Sequence, residues 1–582
     1  MEQAHTQTVL EAFDGIIADR AGQKRLPPTV LDGSLRENSA APSCKDVNDY
    51  FAQRQELDRR EHVLAWDHPC TVKASDLERR ANAILQILKE KDKIRVYDAA
   101  PKKTGYGDQL HSRVPADHFL SNVDLIPHTD VFQVARRMPK GAHLHIHFNA
   151  CLLPNVLLDI ANTMDRMFIT SDLPLTERIN YDRCEIQFSI LSPEKEKPGN
   201  IFDTAYQSRA TMSFRQFREE FPNHFSEVTV DRWLEQKLVF HEEEAHNSLQ
   251  TAHGAWEKFN GRTRMMKGLF NYESAYRRYT RLILEDFVKD HIQYAEIRPN
   301  FMQNNQLWTD DGMSMIDNFG IMKIIIDEYN RFQKEYGSYF GGLKVIYCTP
   351  RSFSNELVAA ALQQCIEFKR TWPQWIAGFD IVGEESKGRP IRDFVPEFLA
   401  FRKRCEEEGL DIPFLFHCGE TLDIGNETDG NLLDALLLNS KRIGHGFALA
   451  RHPYIMEHMK KRGICLEVCP ISNEILGLTP RVGGHAMYNL LANDVHCTVS
   501  SDNGTLFRSS LSHDFYQVMV GKSDMTLHGW RQLIEWSLQH ACMSEHELRS
   551  VKEIWQGMWE EFLQWVVDKY GAVERLQPTP GQ

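Results

Sequence analysis

From residue 139 onward, short apolar segments of strand character alternate with amphipathic helical patterns, and this alternation limits the fold more than any other feature. Strict alternation of strands and helices favours right-handed crossovers and a parallel sheet. Eight such units predict an α/β protein whose sheet closes as a (β/α)8 TIM barrel, with its functional residues at the C-terminal ends of the strands. The eight predicted strands are residues 141–147, 292–298, 343–349, 376–383, 413–417, 442–446, 464–469 and 496–502.

The remaining sequence predicts additions to this barrel. Residues 1–125 are polar with short helical patterns and indicate an N-terminal helical arm, whereas residues 126–582 would form the barrel domain and its C-terminal helices. The first and second strands are separated by far more residues than the other pairs, which predicts an inserted module at about residues 155–260. The apolar faces of the arm could pack on the barrel or on a second copy of the chain, so a homodimer formed through the arm is one expected alternative.

Charge and cysteine content narrow the class of partner. Lys and Arg number 67 against 81 Asp and Glu, a net charge of −14 at pH 7, whereas binding to nucleic acid depends on Lys and Arg that displace counterions. The N-terminal segment lacks the apolar core of a signal peptide, and no run approaches the roughly 20 apolar residues that span a bilayer. The 12 cysteines form no CxxC pair, which is typical of reduced thiols. We therefore expect a cytoplasmic protein without a nucleic-acid or membrane partner.

Four polar residues fall at the C-terminal ends of predicted strands. His145 and His147 are two residues apart and would share one face of the first strand, although exposed or core histidines also produce this weak signal. His417 ends the fifth strand and Asp502 ends the eighth. Three imidazoles and one carboxylate suit a divalent metal such as zinc, which lowers the pKa of a bound water towards neutrality. The side chain of Cys418 should point to the opposite face and pack there.

Two further residues at strand ends indicate acid–base chemistry. Glu420 lies three residues after His417, where a carboxylate can move protons between water and a substrate nitrogen. His445 lies between two glycines at the end of the sixth strand, where its ring can orient the attacking hydroxide. The alternatives are a solvated loop glutamate and a structural histidine.

Five motifs occur in a characteristic order along these strand ends. They are Met138-Pro-Lys-Gly with His145-Ile-His147, His417-Cys-Gly-Glu420-Thr, Arg442-Ile-Gly-His445-Gly, Glu467-Val-Cys-Pro-Ile-Ser-Asn473 and Ser501-Asp502. This set resembles the adenosine and AMP deaminase branch of the metal-dependent amidohydrolases, over about residues 126–520. Within that branch the chain is most similar to the adenosine deaminase-related growth factors, which share its long first crossover, the stretch Trp256-Glu-Lys-Phe259 and the stretch Tyr294-Ala-Glu-Ile-Arg298.

The resemblance implies a role for each site residue. His145, His147, His417 and Asp502 would bind zinc, and His445 would position the hydroxide. Glu420 would protonate a purine ring at N1 and relay protons. Gly383 would offer its backbone N–H to the ring, and Trp256 would lie against the ribose, with core packing as the alternative for Trp256. The implied substrate is a small-molecule purine nucleoside with a 6-amino group, which is attacked at C6 and loses ammonia.

Two features depart from the family pattern. The family usually has two aspartates and a proline after the eighth strand, whereas this chain has Asp502-Asn503-Gly504, so the group expected opposite purine N7 is the amide of Asn503. A tight turn at Asn503-Gly504 is the alternative. In addition, secreted members of the family begin with a signal peptide, which we do not expect here.

Two other functions compete with adenosine deamination. One is a deaminase or hydrolase of a nucleotide or a modified adenine. The other is a catalytically silent, growth-factor-like interaction protein. The presence of every proposed ligand argues against the silent protein, because a cluster of buried polar groups is costly unless its members have partners.

Overall fold

The computed structural model describes residues 44–302 and 306–576. The predictions for residues 1–43, which include the start of the arm and the N-terminal segment, lie outside the described residues. The chain divides into two compact units, Met1–Leu64 and Ala65–Gln582. The described part of the first unit contains the helix Val47–Val63, which begins after Asp46. Within the described ranges, no helix is long and apolar enough to cross a membrane.

The second unit contains the predicted barrel. Each strand pairs in parallel with the next, in one group of four strands and a second group of four. Phe379 bridges Phe414, and Ile146 bridges Asp502, so the two groups join at both edges and the barrel closes. Its strands are Ala142–His147, Tyr294–Arg298, Gly342–Pro350, Ile376–Val382, His417–Cys418, Arg442–His445, Cys465–Val468 and Cys497–Val499.

The fifth and eighth strands are shorter than predicted by three or more residues, but isolated backbone hydrogen bonds continue their pairing. Ahead of the fifth strand, the N–H of Leu415 donates to the carbonyl of Phe379 at 2.9 Å. Beyond the eighth strand, the N–H of Asp502 donates to the carbonyl of His145 at 3.1 Å, and the N–H of His147 donates to the carbonyl of Asp502 at 3.2 Å. These bonds bring Asp502 beside the end of the first strand.

Helices follow the strands and cover the barrel with their apolar sides. The helix Asn318–Tyr336 begins after Asp317, whose side chain accepts from the N–H of Gly320, and Asn355–Thr371 begins after Ser354, which caps it in the same way. The later helices between strands are Val395–Glu408, Asn431–Leu437, Pro453–Arg462, Pro470–Ile475 and Met487–Ala492. After the eighth strand come Gly504–Phe507, Leu511–Val520, Leu527–His540 and Glu545–Tyr570.

An inserted module separates the first and second barrel strands. Its antiparallel sheet has Met167–Ser171 in the centre, between Ile186–Ile190 and Met212–Ser213. Aromatic residues of its helices pack together, among them Phe217, Phe221 and Trp233. The helices of this crossover are Pro154–Asn162, Arg178–Arg183, Phe214–His224, Val230–Leu238, Glu242–Ala245, Ala252–Met266 and Glu273–Lys289.

The helix Asp76–Asp92 packs against the C-terminal helices of the barrel. Glu78 joins Arg531 at 2.6 Å across this contact, and Leu85 and Leu88 are buried. The part of the predicted arm that follows Leu64 therefore belongs to the same compact unit as the barrel. The domain boundary at about residue 125 and the homodimer stay predictions.

Candidate metal centre and active site

The four residues predicted to bind a metal meet at the C-terminal end of the barrel. Ligand atoms of His145, His147, His417 and Asp502 all lie within 4.8 Å of one another. Nε2 of His147 lies 3.2 Å from Nε2 of His417 and 3.3 Å from Oδ1 of Asp502. Nε2 of His145 is buried and has no hydrogen-bond partner. Nitrogen and carboxylate donors that converge in this way form a donor set that suits a divalent metal such as zinc.

Carboxylates behind two of the imidazoles orient them. Nδ1 of His145 donates to Oε2 of Glu467 at 2.7 Å, and Nδ1 of His417 donates to Oδ2 of Asp380 at 2.6 Å. Because Nδ1 carries the proton in each ring, the lone pair of Nε2 faces the centre, as metal ligation requires. Burial lowers the pKa of His417 to about 3, so its ring is neutral at pH 7.

Glu420 and His445 lie beside the four ligands. Oε1 of Glu420 is 3.4 Å from Nε2 of His445, and it is buried without a hydrogen-bond partner. Burial, together with the charges of Asp502 and Glu385, raises the pKa of Glu420 well above its ordinary value. Burial lowers the pKa of His445 well below its ordinary value. Both shifts favour the uncharged pair, a protonated carboxylic acid next to a neutral imidazole.

The backbone is strained at two of these positions. His445 has φ of +61° and Asp502 has φ of +57°, in the left-handed region that residues other than glycine rarely adopt. Such a residue typically costs about 1–3 kcal/mol and occurs where the surrounding structure enforces it, often at functional sites. Both residues lie at strand ends that carry predicted site residues, although seven other non-glycine residues of the described chain also have a positive φ.

Comparisons with known proteins agree with this geometry. The family model for adenosine deaminase matches residues 237–555. Adenosine deaminase 2 from Sus scrofa is 31% identical over 84% of this chain and 89% of its own length. The chain belongs to the adenosine deaminase family. It is an aminohydrolase enzyme, and the family resemblance inferred from the five motifs is confirmed.

One further relative of this adenosine deaminase family member and one solved structure are informative. An adenosine deaminase from Aedes albopictus is 30% identical over 80% of this chain and 81% of its own length. The apo structure of the N6-methyl-AMP deaminase from Arabidopsis thaliana is 14% identical and matches with a TM-score of 0.50, over 74% of this chain and 99% of that chain. At this identity the match shows a shared fold alone.

Gly383 and Trp256, which the adenosine deaminase resemblance places against the substrate, lie near the same end of the barrel. Gly383 follows the fourth strand with φ of +107°, a conformation that only glycine adopts without strain. Trp256 is buried, and its ring centroid lies 5.0 Å from that of Phe259. In the first turn of the same helix, His253 lies 3.3 Å from Glu384. The contacts of Gly383 and Trp256 with a substrate stay predictions.

Asn503 contacts a predicted metal ligand. Its Nδ2 donates to Oδ1 of Asp502 at 2.7 Å. The alternative of a positive-φ turn at Asn503-Gly504 is wrong, because Asn503 has φ of −119° and the positive φ lies at Asp502. Gly504 is required for a different reason: a Cβ there would lie 2.6 Å from the carbonyl of Ser509. The role of Asn503 opposite purine N7 stays a prediction.

Several residues that support the adenosine deaminase site had no role in the sequence analysis. Five of them form hydrogen bonds or ion pairs with the site residues: Asp380, Glu385, Glu467, Ser472 and Asn473. The sixth, Arg298, bonds two of these carboxylates, those of Asp380 and Glu467. Some of these residues lie within the motifs quoted above. The sequence signal that could have identified two of them is a charged residue inside an apolar strand, Asp380 in the fourth strand and Glu467 in the seventh. Cys418 is buried as expected, and among the described residues it belongs to no cluster of candidate ligands.

Proposed function

We propose that the chain catalyses zinc-dependent hydrolytic deamination of adenosine, or of a close 6-aminopurine nucleoside, to the inosine-type product and ammonia. The observation that carries this proposal is the convergence of three imidazoles and one carboxylate beside Glu420 and His445 in one buried site. The relatives named adenosine deaminase support the class of substrate.

The donor set fits the metal that the family implies. His145, His147, His417 and Asp502 would hold it. Nε2 of His145 is buried without a hydrogen bond and lies 3.5 Å from Oδ1 of Asp502, a spacing that two ligands of one metal can have. When bound, zinc lowers the pKa of water and supplies a nucleophile near neutral pH. The hydroxyl of Ser472 donates to Oδ2 of Asp502 at 2.7 Å and so fixes the carboxylate.

The remaining steps follow from residues of the chain. The raised pKa of Glu420 favours its protonated form, which can give its proton to N1 of a purine and so make C6 a better electrophile. The resulting carboxylate can then take a proton from the attacking water and give it to the departing amine. The hydroxyl proton of the adduct returns to the carboxylate as C6 becomes a carbonyl, so the acid form of Glu420 is restored. Glu385 holds the Glu420 loop, because it accepts the N–H groups of Gly419 and Glu420 at 3.0 and 2.5 Å. Glu420 and His445 are buried, which limits the access of bulk water to these transfers.

A substrate screen tests the proposal. Ammonia release by the purified, zinc-loaded protein would be measured with adenosine, 2′-deoxyadenosine, AMP, N6-methyl-AMP and adenine, with His417→Ala as the inactive control. We expect adenosine or its deoxy analogue to give the highest kcat/KM. A preference for a nucleotide or the methylated base would support the alternative substrate class, and no release from any compound would support the silent interaction protein.

We also propose a cytoplasmic location. All 12 cysteines of the chain are free in the structure, a state that reducing compartments maintain. Cell fractionation with an antibody to the native protein tests this, and recovery in the culture medium would contradict it.

A further inference from the structure

A series of hydrogen bonds begins at a backbone group outside the proposed ligand set. The N–H of Met487 donates to Nδ1 of His485 at 2.9 Å. A backbone N–H can only donate, so Nδ1 of His485 accepts and carries no proton. Burial lowers the pKa of His485 to about 3, so the ring is neutral and its single proton lies on Nε2.

The orientation of the next side chain follows. Nε2 of His485 lies 2.9 Å from Oδ1 of Asn473, and because Nε2 carries the proton it donates to that oxygen. The NH2 group of the Asn473 amide therefore points away from His485 and towards His445. Nδ2 of Asn473 lies 3.1 Å from Nδ1 of His445. All three side chains are buried.

The last ring in the series is at the active site. Nδ1 of His445 accepts the bond from Asn473 and so carries no proton. The one proton of the His445 ring therefore lies on Nε2. That nitrogen faces Oε1 of Glu420 at 3.4 Å. The neutral ring then has no free lone pair directed into the site and can only donate a hydrogen bond there.

We propose that Asn473 and His485 are positioning residues that hold the proton of His445 on Nε2, so that His445 acts on the reacting oxygen as a hydrogen-bond donor and leaves proton uptake to Glu420. The inference rests on the proposed function for its catalytic consequence. The arrangement of protons is independent of any activity. It therefore has a direct physical readout.

Nitrogen NMR gives that readout. The zinc-loaded protein would be prepared with 15N-labelled histidine, and the signals of His445 would be assigned by their loss in His445→Gln. We expect a one-bond N–H coupling at Nε2 and none at Nδ1. A proton on Nδ1 in the native protein overturns the proposal. If the native protein releases no ammonia from any purine, the proposed function fails while this measurement still decides the proton position.

An isosteric variant reverses the polarity of the series. Asn473→Asp replaces the NH2 group with a carboxylate oxygen, which accepts from Nδ1 and moves the proton of His445 there. We expect kcat to fall by about 10²- to 10⁴-fold, as for a catalytic histidine held in the wrong tautomer, while KM and metal content stay close to the native values. The control is Asn489→Asp, which makes the same change at an exposed position of the helix Met487–Ala492. Unchanged kcat in Asn473→Asp overturns the proposal.

Variants at His485 test the remote end of the series. The side chain of Gln can donate an N–H to Oδ1 of Asn473, whereas Phe fills the space without a donor. We expect His485→Gln to keep most of kcat and His485→Phe to lose it, at similar KM. Equal losses in the two variants would indicate a packing role alone and overturn the inference.

Discussion

Nδ1 of His417 lies 2.6 Å from Oδ2 of Asp380, and both side chains are buried. Oδ1 of the same carboxylate accepts the backbone N–H of His417 at 2.8 Å. The histidine is thus held at its main chain and at its ring by one residue of the neighbouring strand. Because the ring cannot rotate without breaking these bonds, its Nε2 is fixed at the centre of the four proposed ligands.

Metal content tests this arrangement at adjacent residues. We predict that His417→Ala loses both bound zinc and activity. A site with three ligands holds zinc poorly, and the carboxylates that orient the remaining ligands cannot replace the lost one. The matched control is Cys418→Ala, the next residue, which should keep zinc at the native level. Elemental analysis of both purified variants decides the matter. Full zinc occupancy in His417→Ala would contradict the ligand assignment.

A substitution at Glu420 can distinguish zinc and ligand binding from catalytic turnover. We predict that Glu420→Gln retains zinc and binds a purine riboside, yet loses at least about 10²-fold in kcat, because an amide cannot donate and regain the proton. Isothermal titration with the riboside and steady-state kinetics measure the two parts. Near-native turnover in this variant would show that the proton comes from another group.

The sequence predicted the barrel because each strand and helix carries its own local pattern. It also predicted which strand ends meet, since the C-terminal ends of parallel strands share one edge. The ionic network behind the ligands was not predictable in this way. Arg298 bonds Asp380 and Glu467, which are 82 and 169 residues away in the chain, and a single sequence carries no sign of such pairings. The strand Met212–Ser213 was missed because two residues show no periodicity.

The inserted module reaches the loop that follows Gly383. His253 contacts Glu384 there at 3.3 Å, so we predict that His253→Ala raises KM for adenosine a few-fold while zinc content and kcat stay near native, because barrel specificity resides in the loops above the strand ends. Asn260→Ala, an exposed position on the same helix, is the control. Identical KM values in the native protein and both variants would assign the helix to packing or assembly.

Glu474 makes the stability depend on pH. Its oxygens accept the N–H groups of Phe119 and Val482 at 2.6 and 3.1 Å, and burial raises its pKa from 4.5 to about 8. Between these two values the folded chain keeps a proton that the unfolded chain has released, so the free energy of unfolding falls as pH rises through this window and levels off above it.

The side chain of Gln resembles protonated Glu but does not titrate. We therefore predict that the free energy of unfolding of Glu474→Gln falls less with rising pH than that of the native protein, by an amount on the order of a few kcal/mol. Urea unfolding across the window and above it measures the effect. The control is Glu545→Gln, whose native side chain is 95% exposed. Parallel pH profiles for the native protein and Glu474→Gln would show that Glu474 does not bind the proton.

Asn503 replaces an aspartate of the family pattern, and its amide has two N–H donors, one of which bonds Oδ1 of Asp502 at 2.7 Å. If the other donates to purine N7, Asn503→Ala should weaken binding of the transition state for adenosine by roughly 1–3 kcal/mol. This loss would be measured as a lower kcat/KM. Asn503→Asp should keep or raise activity but make it more pH-dependent, because a carboxyl group donates only when protonated.

We would compare adenosine with its 7-deaza analogue, which lacks the acceptor nitrogen, in the native protein and both variants. The native protein should favour adenosine and Asn503→Ala should not. Equal preference in all three would show that Asn503 does not contact N7 and acts only on Asp502.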